Sequence, residues 1–274
     1  MTVSRLAFLG PAGTYSELAA HRYQTQWAPA AEAIAQPTIP LALQAALDPA
    51  TWAIVPVENA LQGSVTLTLD TLWDLPELQI QAALELPIRH GLLGQDWGQI
   101  RAVHSHPQAL AQCRDWLATH LPQAVPVPTA STSEGAIAAR ESPQVAAIAS
   151  PHAAELYGLQ VLATEIDDRP ENRTRFWVLG KTPPTVTGTH TSLAFGASRN
   201  APGTLLAPLQ VFAERSLNLS RIESRPTRRS LGDYLFFLDI EAPRDRPAMA
   251  EALEVLPEIV ETLKIFGSYT IGDR

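Results

Sequence analysis

The chain of 274 residues is 46% hydrophobic and has a formal net charge of −8 at pH 7, which suits one large domain or two ordinary ones. The acidic balance argues against nucleic acid or an anionic membrane surface as a partner. The single cysteine, Cys113, excludes an internal disulfide and a cysteine-based metal cluster, and no apolar run resembles a membrane span or a signal peptide, so we expect a cytoplasmic protein.

Short apolar strands alternate with helices over the first two thirds of the chain. The predicted strands are residues 5–9, 52–57, 86–93, 102–104, 146–149 and 176–179. The predicted helices are residues 17–23, 109–118, 135–140 and 153–157. This alternation predicts an α/β layer fold with a mainly parallel sheet.

A Pro- and Thr-rich stretch, residues 181–188, has no apolar period and indicates a linker. Beyond it the pattern predicts strands at 191–195, 217–222, 234–240 and 263–271, with helices at 203–215 and 248–256. This βαββαβ order is typical of a ferredoxin-like domain.

The segment GPAGTYS, residues 10–16, lies between the first predicted strand and helix. Its two glycines allow a tight turn, and Thr14 and Ser16 place hydroxyls where the free N–H groups of the helix point. The segment therefore indicates either a site for a carboxylate or phosphate, or an ordinary capped turn. It lacks the spacing of a dinucleotide fingerprint and the lysine of a P-loop.

Polar residues also follow two later strands. Glu58 and Asn59 end the strand at 52–57, at the sheet edge where α/β proteins bind ligands, although Asn59 could instead stabilise a turn. His106 follows the strand at 102–104 and could be an acid, a base or a helix cap. Cys113 lies in an apolar helix and is interpreted as core, and the histidines form no metal-ligand pair on one helix face, so no metal site is predicted.

The segment ENRTRFWVLG, residues 171–180, places a threonine between two arginines at the start of a buried strand. The two-residue period of a strand puts Asn172, Thr174 and Phe176 on one face. Arg173 and Arg175 share the other. A hydroxyl beside cations at a strand end suits an anion pocket, but also a solvated edge.

Taken together, these segments resemble the prephenate dehydratase family with a C-terminal ACT regulatory domain. The resemblance covers nearly the whole chain, in order. The segments that carry it are GPAGTYSE (10–17), PVENALQGSV (56–65), SHPQALAQC (105–113), STSEGA (131–136), AELYGL (154–159), NRTRF (172–176) and LNLSRIESRPTR (217–228).

The resemblance implies a fold class: a two-lobed α/β catalytic domain similar to type II periplasmic binding proteins, followed by a ferredoxin-like ACT domain. The catalytic domain would span 1–184, with lobe one at 1–88 plus 174–184 and lobe two at 89–173. The ACT domain would span 189–274, pair with a second copy in a homodimer or tetramer, and bind phenylalanine.

The resemblance also implies an activity, the decarboxylative dehydration of prephenate to phenylpyruvate in phenylalanine biosynthesis, which needs no cofactor because aromatisation drives it. Thr174 matches the catalytic threonine of the family, and its hydroxyl would assist the departure of hydroxide. A threonine is a weak acid, so His106 and Glu58 are candidate proton-transfer partners. The expected substrate-binding residues are Thr14, Ser16, Glu58, Asn59, Ser105, His106, Gln112, Ser131, Thr132, Ser133, Asn172, Arg175 and Phe176.

For the effector, the resemblance implies a phenylalanine site in the ACT domain. Its expected residues are Gly203, Thr204, Leu205, Asn218, Leu219, Glu223, Ser224, Arg225 and Pro226. Thr204 departs from the family pattern of Gly-Ala-Leu, which puts the strength of phenylalanine control in question. Ala60 and Gln62 stand where the family commonly has serine and glutamate.

Three other functions compete with this interpretation. Arogenate dehydratase performs the same chemistry on an amino analogue and has the same sequence pattern. A non-catalytic amino-acid sensor could use the same folds, although Thr174 argues against it. A periplasmic solute-binding protein would need an export signal.

Overall fold

The structure is a computed structural model that describes residues 3–182, 187–196, 202–227 and 232–272. The strands are β1 (Arg5–Leu9), β2 (Glu32–Gln36), β3 (Thr51–Asn59), β4 (Gly63–Ser64), β5 (Gln79–Pro87), β6 (Gly91–Gly94), β7 (Ala102–Ser105), β8 (Val125–Pro128), β9 (Val145–Ala149), β10 (Gln160–Ala163), β11 (Arg173–Gly180), β12 (His190–Gly196), β13 (Leu219–Pro226), β14 (Tyr234–Ile240), β15 (Thr262–Tyr269) and β16 (Ile271–Gly272). The helices are α1 (Tyr15–Trp27), α2 (Ile39–Ala45), α3 (Thr66–Asp74), α4 (Pro107–Gln112), α5 (Arg114–His120), α6 (Thr132–Glu141), α7 (Pro151–Tyr157), α8 (Leu206–Glu214) and α9 (Pro247–Ile259).

The strands form three sheets. The first sheet has the order β16-β5-β11-β3-β1-β2 with β4 beside β3, the second has β10-β6-β9-β7-β8, and the third has β13-β14-β12-β15. The predicted α/β architecture is confirmed, but the prediction of mainly parallel sheets is wrong. Strand β11 is antiparallel to both of its neighbours, β3 and β5, and β6 is antiparallel to β9 and β10. The reason is that the chain crosses from the first sheet to the second and returns, so β11 enters its sheet in the reverse direction.

These two crossings replace one predicted strand. The expected strand at 86–93 is two strands in different sheets, β5 and β6, joined by the crossing at residues 88–90. The return crossing is residues 164–172. The two crossings are bonded to each other, since Ile88 N–H donates to the Asn172 carbonyl (2.9 Å) and Ile166 N–H to the His90 carbonyl (3.2 Å).

The predicted helix at 109–118 is likewise two helices, α4 and α5, which meet at Cys113. Cys113 has a non-helical backbone (φ −119°, ψ 17°). The Asp168 carboxylate accepts the N–H groups of Asp115 (3.0 Å) and Trp116 (3.1 Å), so α5 begins with its own cap.

Strand β11 is covered on both faces. Phe176 packs in a cluster with Phe8 and the α1 residue Tyr23, whereas Trp177 packs in another cluster with residues of α2, α3 and the third sheet. The alternation predicted from the sequence thus separates a face toward α1 from a face toward the third sheet.

The third sheet is antiparallel and has the predicted βαββαβ order, with α8 and α9 packed over one apolar cluster. Helix α8 begins at Leu206 rather than 203, because residues 202–205 form a turn in which Gly203 has φ +84°. The predicted last strand is divided into β15 and β16, and β16 leaves the third sheet to pair with β5.

Parts of some predictions lie outside the described residues: positions 183–186 of the expected linker, Arg228 of the last family segment, and residues 1–2 and 273–274 at the ends of the expected domains. The domain division stays a prediction. Within the described ranges, no helix is long and apolar enough to cross a membrane.

Candidate active site

A cleft of about 910 Å³ lies between the first and second sheets. The predicted site residues that line it are Thr14, Ser16, Asn59, His106, Gln112, Ser131, Thr132, Thr174 and Phe176. The predicted residues that do not line it are Glu58, Ser105, Ser133, Asn172 and Arg175. Elements far apart in the chain therefore bring most of the predicted site together.

Thr174 presents a buried hydroxyl to the cleft, with 8% of the residue's surface exposed. It lies on β11 opposite Asn59 of β3. Its Oγ1 accepts a hydrogen bond from Asn59 Nδ2 at 2.9 Å. Because the amide uses an acceptor position of the hydroxyl, the threonine proton remains available to a molecule in the cleft.

Asn59 is itself held in one orientation. Its Oδ1 accepts the N–H groups of Leu61 (3.1 Å) and Gln62 (3.2 Å), which form the turn after β3. The amide nitrogen must therefore face Thr174. Asn59 therefore both stabilises the turn after β3 and contacts Thr174 at the cleft, so its two interpretations hold together.

The capped N-termini of α1 and α6 lie at the cleft, on the sides of the first and second sheets respectively. Thr14 caps α1 by accepting the Glu17 N–H (3.3 Å), and Ser131 caps α6 by accepting the Glu134 N–H (3.0 Å). The N–H groups of the first turns point out of each helix, where the helix dipoles favour negative charge. A dianion could bridge these two ends.

No lysine or arginine is among the described residues that line the cleft. An anion there would be held by neutral donors and helix dipoles. The predicted acid, base or cap at His106 is a cap in this structure, since its Nδ1 accepts the Gln108 N–H (3.3 Å). Burial lowers the pKa of His106, so the ring is neutral at pH 7.

The five predicted residues outside the lining contact other elements. Arg175 pairs with Glu85 (2.8 Å) and Glu58 (3.4 Å) on the face of β11 opposite the cleft. Asn172 Nδ2 donates to Gln112 Oε1 (3.2 Å), which orients a residue that does line the cleft. Glu58, which pairs with Arg175, lies on that opposite face and is therefore not placed to exchange a proton with Thr174.

The remaining two are buried serines. Ser105 Oγ donates to the Ile148 carbonyl (2.5 Å) and ties β7 to β9. Ser133 is fully buried in α6 near Gly13. Both support the second sheet, and their role in binding stays a prediction.

The lining also contains residues that were not predicted as site residues, among them Tyr15 and His90. Tyr15 lies within the GPAGTYS segment, and its hydroxyl donates to the Arg89 carbonyl (2.5 Å). His90 is 3% exposed and is bonded through Nδ1 to Asp167 Oδ1 (2.5 Å). No local pattern could have indicated this pair, because the partners are 77 positions apart.

Within the part of the chain that the structure describes, potential metal ligands meet in two places that the sequence did not suggest. Nitrogen, sulfur or carboxylate atoms lie within 4.8 Å of one another in Glu17, His21 and His152, and in His90, Cys113 and Asp167. In the second group the thiol is a poor ligand, because burial and nearby carboxylates raise the pKa of Cys113 far above its usual range and metals bind the thiolate.

The predicted phenylalanine-site residues lie in two parts of the third-sheet unit. Gly203, Thr204 and Leu205 form the turn before α8, whereas Asn218, Leu219, Glu223, Ser224, Arg225 and Pro226 lie on or just before β13. Two of the latter contact the first-sheet unit. Glu223 accepts a hydrogen bond from Ser64 (3.2 Å), and Arg225 makes two bonds to Asp70 (3.0 and 2.9 Å).

These features define a class of protein: two α/β lobes around a cleft suited to a small anion, joined to a ferredoxin-like domain. The family follows from comparison. The chain belongs to the prephenate dehydratase family, whose model matches residues 6–184, and the ACT domain model matches residues 191–258. The resemblance identified from the sequence is confirmed.

Individual relatives and solved structures are similar to this chain over nearly its whole length. A prephenate dehydratase of Amycolatopsis methanolica is 39% identical over 277 aligned residues, which cover 99% of this chain and 90% of that protein. The crystal structure of an Arthrobacter aurescens prephenate dehydratase in complex with L-Phe is 36% identical, with a TM-score of 0.89 over 97% of this chain and 90% of that one. A structure described as GqqA, a novel type of quorum quenching acylase, is 30% identical with a TM-score of 0.86 over 98% of both chains.

Proposed function

We propose that this protein is a prephenate dehydratase, which converts prephenate to phenylpyruvate, carbon dioxide and water and is regulated by phenylalanine. The observation that carries the proposal is the Thr174 hydroxyl, enclosed at the cleft and bonded as an acceptor to Asn59 (2.9 Å). We propose the cytoplasm as its compartment.

The chemical problem is the departure of hydroxide, which is a poor leaving group unless it receives a hydrogen bond or a proton. The Thr174 proton is free to make that bond, because Asn59 occupies an acceptor position of the oxygen. One well-placed donor at a developing oxyanion contributes about 10²–10³ in rate. The Thr174 and Asn59 pair thus supports stabilisation of the leaving oxygen.

The substrate also carries two carboxylates. The pyruvyl carboxylate survives the reaction and can be bound firmly by the N-termini of α1 and α6. The ring carboxylate must lose its charge as carbon dioxide leaves, and a tight ion pair would oppose that loss. A cleft without lysine or arginine among its described lining residues favours this step. Gln112, held by Asn172 (3.2 Å), would orient the substrate by a hydrogen bond.

The test compares the purified wild-type protein with Thr174→Val and Thr174→Ser, using prephenate and arogenate in separate assays. We expect phenylpyruvate from prephenate, a loss of at least about 100-fold in kcat for Thr174→Val, and partial activity for Thr174→Ser, which keeps the hydroxyl. Wild-type turnover by Thr174→Val would remove the mechanism. Phenylalanine formed from arogenate, with no product from prephenate, would make arogenate the substrate. No product from either compound would favour a non-catalytic sensor.

We propose that phenylalanine regulates the enzyme through the ACT unit. The proposed catalytic domain spans 1–184 and the proposed ACT domain spans 189–274. Ser64 lines the cleft and also donates to Glu223 of β13 (3.2 Å), so the expected effector strand touches the cleft wall. A ligand that shifts β13 would therefore shift that wall, and the coupling would be reciprocal in binding. Activity that stays flat during a phenylalanine titration would contradict this. A homodimer or tetramer formed through the ACT domains would be measured by light scattering.

A further inference from the structure

The proposed reaction needs a proton that Thr174 cannot supply alone. The C4–O bond breaks with its electron pair on oxygen, and that oxygen must gain a proton to leave as water. The electrons of the bond to the ring carboxylate enter the aromatic ring, and carbon dioxide departs. A threonine that gives up its proton must be reprotonated at once, so the site needs an acid with a stable protonated form.

The titratable residues among the described cleft lining are Tyr15, His90, His106 and Glu134. Burial raises the pKa of Tyr15 far above its usual range, and its proton is bonded to the Arg89 carbonyl. Glu134 accepts the Ala130 N–H (2.6 Å) at the start of α6. His106 is neutral, because burial lowers its pKa. These three residues are therefore unsuited to deliver a proton at pH 7.

His90 differs from them because a carboxylate is bonded to its ring. Nδ1 lies 2.5 Å from Asp167 Oδ1, and the His90 backbone N–H donates to Asp167 Oδ2 (2.6 Å). The two side chains are 4% and 2% exposed. Nδ1 must be protonated to bond the carboxylate, so the ring is oriented by Asp167 and exchanges protons at Nε2, as in the paired His and Asp of a catalytic triad.

The other groups around the His90 and Asp167 pair do not replace Asp167 as the partner of the ring. The Tyr15 ring meets the imidazole edge-on at 5.7 Å. Cys113 remains a neutral thiol, and the neighbouring Asp168 carboxylate is occupied by the N–H groups that begin α5. Arg89 is the adjacent cation on the same crossing segment. Asp167 is thus the anion in direct contact with the His90 ring.

We propose that His90, oriented by Asp167, is a further catalytic residue, the general acid that supplies the proton for the departing hydroxide. The proton moves from Nε2 toward the leaving oxygen, with the Thr174 hydroxyl bonded to that oxygen, and solvent reprotonates His90 after product release. This inference rests on the proposed dehydratase function.

The experiment measures kcat and KM for prephenate across about pH 5.5 to 9 for the wild-type protein, His90→Gln, Asp167→Asn and Cys113→Ala. Cys113→Ala is the matched control, because it alters the same buried cluster without touching the proposed proton path. Circular dichroism and urea unfolding establish that each variant is folded.

We expect His90→Gln to lose at least about 100-fold in kcat with KM changed less than about threefold, because the acid acts in the transition state. The wild-type kcat should fall as pH rises and the acid loses its proton. In Asp167→Asn kcat should fall at least about tenfold with KM changed less than about threefold, because the ring loses the carboxylate that holds its orientation. Cys113→Ala should keep the wild-type profile.

Folded His90→Gln with wild-type kcat overturns the dyad, and so does folded Asp167→Asn with wild-type kcat. If neither variant folds, the wild-type profile decides, since a kcat that does not fall with rising pH overturns the proposal. These failures leave the dehydratase function intact, whereas wild-type protein without turnover of prephenate overturns both.

Discussion

A buried ion pair lies where the third sheet meets the first. Asp239 is fully buried and accepts Arg221 Nε (2.7 Å) and Nη2 (3.2 Å), together with the hydroxyl of Ser192. The Arg221 guanidinium lies over the Trp177 ring at 5.0 Å. Arg175 Nη1 approaches the same carboxylate at 4.0 Å.

The substitution Asp239→Asn keeps the shape of the side chain and removes its charge. Arg221 would then be a buried cation without its anion, and its Nη1 already has no hydrogen-bond partner among the residues that the structure describes. Breaking one partner of such a pair costs about 3–5 kcal/mol. Domains are typically stable by about 5–15 kcal/mol, so the loss is a large fraction of the total.

Urea unfolding monitored by fluorescence measures the effect, and we expect the midpoint to fall by about 1–2 M. The exposed pair of Arg114 and Asp115 (3.0 Å) supplies a control, since Asp115→Asn should change stability by no more than about 0.5 kcal/mol. The double variant Arg221→Met/Asp239→Leu should recover most of the loss, because it removes both charges. A loss below about 1 kcal/mol in Asp239→Asn would refute the reasoning.

Two further predictions concern packing and pH. A Cβ on Gly135 would lie 2.5 Å from the His104 carbonyl oxygen in β7, so Gly135→Ala should lower stability by more than about 2 kcal/mol despite the higher helix propensity of alanine. Gly158→Ala is the control in the same urea assay, since nothing lies within 4 Å of its Cβ and only its φ of +67° opposes alanine. Burial lowers the pKa of His106, so the unfolded chain binds more protons and stability is lost as pH falls through about 6.5. His106→Gln lacks that loss, and the difference in urea midpoint between wild type and this variant should therefore shrink from pH 8 to pH 5; a constant difference would contradict the argument.

Local patterns in the sequence predicted the elements that depend on neighbouring residues. The predicted helix at 135–140 lies within α6, which Ser131 caps by accepting the Glu134 N–H (3.0 Å). The predicted helix at 153–157 lies within α7, which ends at Gly158 in the left-handed conformation that glycine favours. The ferredoxin-like order followed from alternation along a continuous stretch of chain.

The predictions that were wrong or incomplete depend on contacts between residues that lie far apart in the sequence. The break at Cys113 depends on Asp168, which caps α5 from 53 positions away from Asp115. The direction of β11 depends on the return crossing, which no local pattern encodes. His90 was not predicted for the same reason, because its partner Asp167 lies 77 positions away in the chain.

The site residues were predicted best where a strand fixed their direction. Thr174 and Asn59 lie at the cleft, as the motif and the two-residue period indicated. Arg175 and Glu58, expected at the substrate, lie next to them in sequence and therefore on the opposite face. Motif membership did not distinguish these neighbours, whereas the strand period placed Arg175 on the other face from the start.

This alternation gives β11 two tasks. Thr174 faces the cleft, and Arg175, one residue later, lies 4.0 Å from Asp239 of the third sheet. Strand β11 is paired with β3 on one side and β5 on the other, so a movement at Arg175 reaches Thr174 through the strand backbone. A change in the ACT unit that displaces Asp239 would therefore alter the position of the Thr174 hydroxyl and so the rate. Sensitivity to phenylalanine should accordingly weaken in Asp239→Asn, even where substrate binding is unchanged.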